Sequence, residues 1–178
     1  KKESGGTARN AIITDTARGV TKCLSPALSD GEFTNSGGVT AFGSDGFSVG
    51  SYDSVNESGN SDIYNAWNWR VTGGVATATA SEAGSNPGYT QYAQPNAGFS
   101  IIKYVGTQSA GTIPHGLGAV PRWIILKNLD IDGNSWIVYH DQNTTAPETD
   151  FLRLEDTHAT ADNANRFNDT APTSSVFT

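Results

Sequence analysis

Short apolar runs alternate with turn-forming clusters along the whole chain, and the apolar spacing is that of strands. Strand-like segments run from Ala11 to Thr14, Thr21 to Leu24, Gly46 to Val49, Ile63 to Arg70, Phe99 to Val105, Trp123 to Lys127 and Trp136 to His140. No stretch sustains the three-and-four apolar spacing, rich in Ala, Leu, Glu, Lys and Arg, that a stable amphipathic helix needs. The expected fold is therefore all-β: an antiparallel β-sandwich, jelly-roll-like, built from one or two incomplete repeats.

The clearest supersecondary signal is a hairpin joining Trp123–Lys127 to Trp136–Tyr139 across residues 128–135, where Asp132-Gly133-Asn134 supplies residues that tolerate left-handed backbone. Between Val71 and Ala97 large aliphatic side chains almost vanish in favour of Gly, Ala, Ser, Thr and Pro, which reads as a connector. Around it lies a weak internal similarity at an offset of about 126 residues. Ile12-Ile13-Thr14-Asp15 answers Val138-Tyr139-His140-Asp141, Thr21–Leu24 answers Thr149–Leu152, and Phe42 with Asp45-Gly46-Phe47 answers Phe167 with Ser175-Val176-Phe177. The organisation expected is thus residues 1–70 as the C-terminal part of a first β-sandwich repeat, 71–97 as connector, and 98–178 as the N-terminal part of a second.

Glycine at 20 residues and charged residues at only 16% of the chain agree with a turn-rich, polar β protein. The net charge of −7 argues against nucleic-acid partners, which are held by clustered Lys and Arg. One cysteine, Cys23, cannot form an internal disulfide, and its neighbours Thr21-Lys22 and Leu24 place it in a strand. No run approaches the roughly 18 apolar residues of a membrane-spanning helix, and no segment resembles a secretion signal. Membrane insertion is not expected. Without methionine, and opening Lys1-Lys2-Glu3, the chain reads as part of a longer polypeptide.

Several motifs touch on chemistry. Gly46-Phe47-Ser48-Val49-Gly50 has the G-x-S-x-G form of a hydrolase nucleophile elbow, but that device needs a following helix and no helix-forming segment is evident, so Ser48 reads as a strand residue between turns. Asp130-x-Asp132-Gly133-Asn134 has the oxygen density of a calcium loop, but its glycine is displaced and Ser135 and Asp141 stand where an EF-hand loop differs, so a hairpin turn fits better. His115, His140 and His158 are too dispersed for a metal site, and His115 sits in a Pro-His-Gly-Leu-Gly turn. Glu148, Asp150, Glu155 and Asp156 cannot be assigned as a glycosidase pair, because sequence separation says nothing of carboxylate distance. No catalytic residue, metal site or cofactor is expected. Trp67, Trp69, Trp123 and Trp136 are the candidates for stacking on a glycan. Against that, all four lie in strand-like segments, and Trp67 and Trp69 share a face that is expected to point into the core.

Two long strings carry a resemblance. They are Gly98-Phe99-Ser100-Ile101-Ile102-Lys103-Tyr104-Val105-Gly106, and His115-Gly116-Leu117-Gly118 followed by Val120-Pro121-Arg122-Trp123-Ile124-Ile125-Leu126-Lys127-Asn128. Trp136–His140, Asn168–Phe177, Ser44–Gly50 and Tyr64-Asn65-Ala66-Trp67-Asn68-Trp69-Arg70 add to it. The chain resembles the repeated β-sandwich domains of uncharacterised function in tail-fibre and appendage proteins of marine tailed phages. It departs from that pattern in residues 76–95 and in lacking the opening strands of one module and the closing strands of the other. The resemblance implies a non-enzymatic structural or adhesion module on a virion surface or tail. Its partners would be other virion proteins or copies of itself, as in a trimer, together with a host cell-surface glycan. The rival expectations are a carbohydrate-binding module and a tail-associated glycan hydrolase or esterase.

Overall fold

The computed structural model describes residues 9–57, 62–71, 76–77 and 86–178. The described residues are mostly β, with small antiparallel sheets, and among them there is almost no helix and no closed barrel. The expected fold class is met, although the described strands fall into five separate small sheets. Many strands are only two to four residues long, and Gly, Pro or Asn follows several of them closely, as Gly43 after Val39–Phe42, Gly50 after Phe47–Val49 and Pro95 after Tyr89–Gln94. Two compact units are formed. One takes the described residues up to Asn68 with Lys127–Trp136 and Leu154–Asp156, and the other takes those of Trp69–Leu126 with Ile137–Arg153 and Thr157–Thr178.

In the first unit, β1 (Lys22–Cys23) pairs with β2 (Phe33–Thr34), and β3 (Val39–Phe42) with β4 (Phe47–Val49). A single helical turn, α1 (Asp53–Asn56), follows. Cys23 and Leu24 are buried, the former as a strand residue with a free thiol. The segment Ala11–Thr14 contributes one isolated bridge, Ile13 to Leu24, in place of a strand. Asp15 explains why: its carboxylate accepts from the backbone N–H of Ala17 and Arg18, both at 3.0 Å, and turns the chain before a ladder extends. Glycine is required at 37 and 50, where a Cβ on Gly50 would stand 2.7 Å from the Gly37 Cα. Trp136 belongs to this unit, and its indole N–H reaches the carbonyls of Ser25 at 3.2 Å and Leu28 at 2.9 Å.

The second unit is larger. β5 (Ala76–Thr77), β6 (Tyr89–Gln94) and β7 (Phe99–Tyr104) form one sheet, and β8 (Ile113–Pro114) pairs with β13 (Val176–Phe177). A four-stranded sheet has the order β12 (Ala161–Asp162), β11 (Asp150–Arg153), β10 (Ile137–His140), β9 (Trp123–Leu126). The β9–β10 hairpin matches the sequence expectation in position, with Ile137 opposite Leu126 and His140 opposite Trp123, and Gly133 in its loop takes the left-handed φ of 81°. One face of this sheet buries Ile137, Tyr139 and Phe151 against Phe167, with Ile124, Leu126 and Ala161 alongside. Tyr139 meets Phe167 edge-on at 5.5 Å.

Two segments depart from the sequence expectation. Ile63–Arg70 joins no ladder among the described residues. Its start is pinned where the Tyr64 hydroxyl donates to the Asp53 carbonyl at 2.6 Å and accepts from the Glu57 N–H at 3.0 Å. Conversely, β6 lies inside the stretch read as a connector. Few large aliphatics mark it because its inward face carries Gln91, which is buried and donates to the Pro114 carbonyl at 3.0 Å. A buried hydrogen-bonded amide does there what a Val or Ile usually does.

Candidate functional site

Three of the four tryptophans are exposed: Trp67 at 75%, Trp69 at 64% and Trp123 at 59%, while Trp136 is at 4%. Trp136 is structural, with its N–H satisfied by two carbonyls and the Lys127 ammonium 5.9 Å above its ring. The expectation that Trp67 and Trp69 point into the core is overturned. Among the described residues their segment has no partner strand, so the period-two pattern meets no sheet face there on which to bury them.

Trp69 is the best-positioned of the three. Its ring stacks on Phe99 at a centroid distance of 5.5 Å and an interplanar angle of 14°. Phe99 stands at the closed end of the β6–β7 hairpin, opposite Gln94. Gln94 leads into a 3-10 turn, Pro95–Ala97, which closes through Gly98 at φ 63°, its N–H donating to the Pro95 carbonyl at 3.0 Å. Pro95 fixes one backbone angle of this tip, and Gly98 supplies the left-handed residue that closes it. Arg70, Gln94, Asn96 and Ala97 line an open concavity of about 570 Å³ beside it.

Strand alternation sorts the hairpin's faces. Gln91 and Tyr104 lie on one: Gln91 bonds to Pro114 and Tyr104 meets Phe177 edge-on at 6.5 Å, so this face packs on the β8–β13 ladder. Phe99, Ile101 and Lys103, with their cross-strand partners Gln94, Tyr92 and Thr90, lie on the other. Arg70 and Lys103 have no hydrogen-bond or ion-pair partner among the described residues. Phe99, Arg70, Lys103 and the two amides were not singled out as site residues from the sequence. A readable signal was the charge distribution: residues 63–129 hold four cations and one carboxylate, Glu82, in a chain of net −7.

A second exposed aromatic, Trp123, stands on β9 at the edge of the four-stranded sheet, opposite His140, with Ile125 exposed two positions on. Its cation is already engaged: Arg122 Nε donates to Asp141 Oδ2 at 2.6 Å, and this hydrogen bond holds the Asp141 carboxyl below its ordinary pKa.

The remaining motifs resolve into structural roles. Ser48 lies in exposed β4 opposite Ala41, on a strand instead of a sharp elbow. A helix does follow it, contrary to expectation, but α1 is one turn long. In the Asp130–Asn134 loop, Asp132 Oδ1 accepts from the Gly31 N–H at 2.8 Å, and the Lys127 ammonium is bonded to the Asn134 and Ser29 carbonyls. A side-chain cation thus binds that loop. Burial lowers the Lys127 pKa, while Glu155, Asp30 and Asp132 act to raise it. His115 is buried with Nε2 at 3.1 Å from the Thr173 carbonyl and Nδ1 accepting from the Leu117 N–H at 3.2 Å. Glu155 accepts from the Trp136 N–H at 3.0 Å and Asp150 is bonded to the Thr144 hydroxyl. Among the described residues no group of three or more His, Cys, Asp or Glu is placed to hold a metal ion.

These features define a β-rich domain that displays aromatic residues on strands and turns. The chain belongs to the family described as Domain of unknown function (DUF7483), which matches it over residues 1–178. No curated protein and no solved structure matches it.

Proposed function

We propose that this chain is a non-enzymatic adhesion module of a virion tail fibre or surface appendage, which engages a host surface through exposed aromatic side chains. The observation that carries the reading is Trp69: a large apolar ring held outward on Phe99, beside a hairpin tip, where burial would otherwise be favoured. Loops and turns on a fixed β scaffold suit recognition because the scaffold sets their geometry. The resemblance of Gly98–Gly106 and His115–Asn128 to appendage modules of marine tailed phages supports the particle context.

The test is adhesion of the purified labelled chain to envelope preparations of candidate marine bacterial hosts. Saturable binding that Trp69→Ala weakens supports the reading, and absence of binding to every envelope overturns it. A role in assembly is the second reading, favoured by edge strand β9, which exposes Trp123 and Ile125 and carries no charge between them. Light scattering of the intact chain decides it: an oligomer that Ile125→Lys dissociates is the expected result for assembly, and a monomer at every concentration removes it.

A further inference from the structure

The outward face of the β6–β7 hairpin combines three features that together select a ligand class. The first is the Trp69–Phe99 stack, a flat apolar surface of the kind that accepts the C–H face of a pyranose ring. The second is a set of cationic and amide side chains with no carboxylate among the described lining residues. Arg70, Gln94 and Asn96 line the concavity and Lys103 lies further along β7. The four residue steps from Phe99 to Lys103 span about 13 Å of strand. The third is that neither cation is neutralised by a described residue.

Gln94 and Asn96 carry both donors and carbonyl acceptors and can meet the hydroxyls of any sugar, so the charged groups decide the preference. Here the charged groups are donors only, and the surrounding sequence is depleted of Asp and Glu over residues 63–129 while the rest of the chain is strongly acidic. Such a local reversal of sign attracts an anion that the molecule as a whole would repel. The concavity is open, so it suits a chain laid along the surface better than an enclosed small molecule. Two cations without a partner among the described residues are too few to hold a polynucleotide against the remaining negative charge.

We infer that this face is a subsite for an acidic polysaccharide: one ring stacks on Trp69, its carboxylate or sulfate bonds to the Arg70 guanidinium, and Lys103 meets the next acidic group along the chain. Gln94 and Asn96 contact the ring hydroxyls. The inference rests on the adhesion reading and specifies its ligand.

The experiment uses the full chain with a uronic-acid tetrasaccharide and a neutral glucose tetrasaccharide, followed by tryptophan fluorescence and calorimetry, with envelope adhesion measured in parallel. The uronate binds, the neutral sugar binds at least about tenfold more weakly, and raising salt from low to molar concentration removes the difference. Trp69→Ala abolishes binding of both sugars, Arg70→Gln removes the preference for the acid, and Trp123→Ala, an exposed tryptophan on β9, changes neither. Equal binding of the two sugars, indifference to Arg70→Gln, or stronger binding of a single-stranded oligonucleotide overturns the inference. Adhesion to envelopes with no saccharide bound overturns it and leaves the adhesion reading standing, whereas loss of adhesion to every envelope overturns both.

Discussion

Trp136–His140 and Ile63–Arg70 carry similar strings of aromatic and β-branched residues, yet they end in opposite states. Ile137–His140 becomes β10, flanked on both sides by β9 and β11, and every apolar side chain in it is buried. Ile63–Arg70 pairs with nothing among the described residues and leaves Ile63, Trp67 and Trp69 exposed. The difference lies outside both segments. β10 has hairpin partner β9 across the loop that carries Asp132-Gly133-Asn134, whereas Asn65 and Asn68 interrupt the second string and no strand among the described residues pairs with it. Strand propensity prepares a segment for burial, and a partner strand decides whether burial happens.

That contrast can be broken most forcefully on the buried side. Phe167→Ala removes the ring that closes the Tyr139 and Phe151 cluster, and is expected to cost about 3 to 5 kcal/mol in denaturant unfolding. Trp136→Phe keeps most of the packing but strands the Ser25 and Leu28 carbonyls. A loss of about 1 to 3 kcal/mol follows from leaving buried acceptors unpaired. Trp67→Ser on the exposed side should change stability by no more than about 0.5 kcal/mol, and a large loss there would mean that Ile63–Arg70 is buried in solution.

Two weaker effects depend on pH. Burial raises the Cys23 thiol pKa, so its contribution to stability is present below the ordinary thiol value and fades as the pH rises through the folded one. A disulfide reagent at mildly alkaline pH should therefore label Cys23 slowly in the native chain and rapidly after unfolding. Asp141 is the opposite case. Its pKa is lowered by the Arg122 hydrogen bond, so the pair contributes above the ordinary carboxyl value and loses that contribution as the pH falls through the folded value. Arg122→Gln should shift the Asp141 titration upward in carbon-detected NMR, with little change in stability because the pair is exposed.

Much of the second unit was legible. The β9–β10 hairpin follows from two apolar runs around Asp132-Gly133-Asn134, and β7 from Phe99–Val105, because strand pairing across a short loop is a local property. β6 was hidden, since Gln91 replaces an apolar residue on its inner face and only its bond to Pro114 reveals why it is buried. Phe167 was not legible as core either: it lies in a turn and reaches Tyr139 only through the fold. For the candidate site, Trp69 was visible as a candidate but assigned to the wrong environment. Arg70, Phe99 and Lys103 were visible only as strand residues.

The sequence by itself determined the backbone class, the absence of long helices and the places where the chain turns, because glycine, proline and β-branched residues act on dihedral angles within a few residues. Only the tertiary structure decided which tryptophans are buried and which are displayed. Trp136 is inside because its indole N–H finds carbonyls 111 and 108 residues away, and Trp69 is outside because its segment finds Phe99 and no ladder among the described residues. Those outcomes depend on partners distant in sequence, and local pattern carries no information about them.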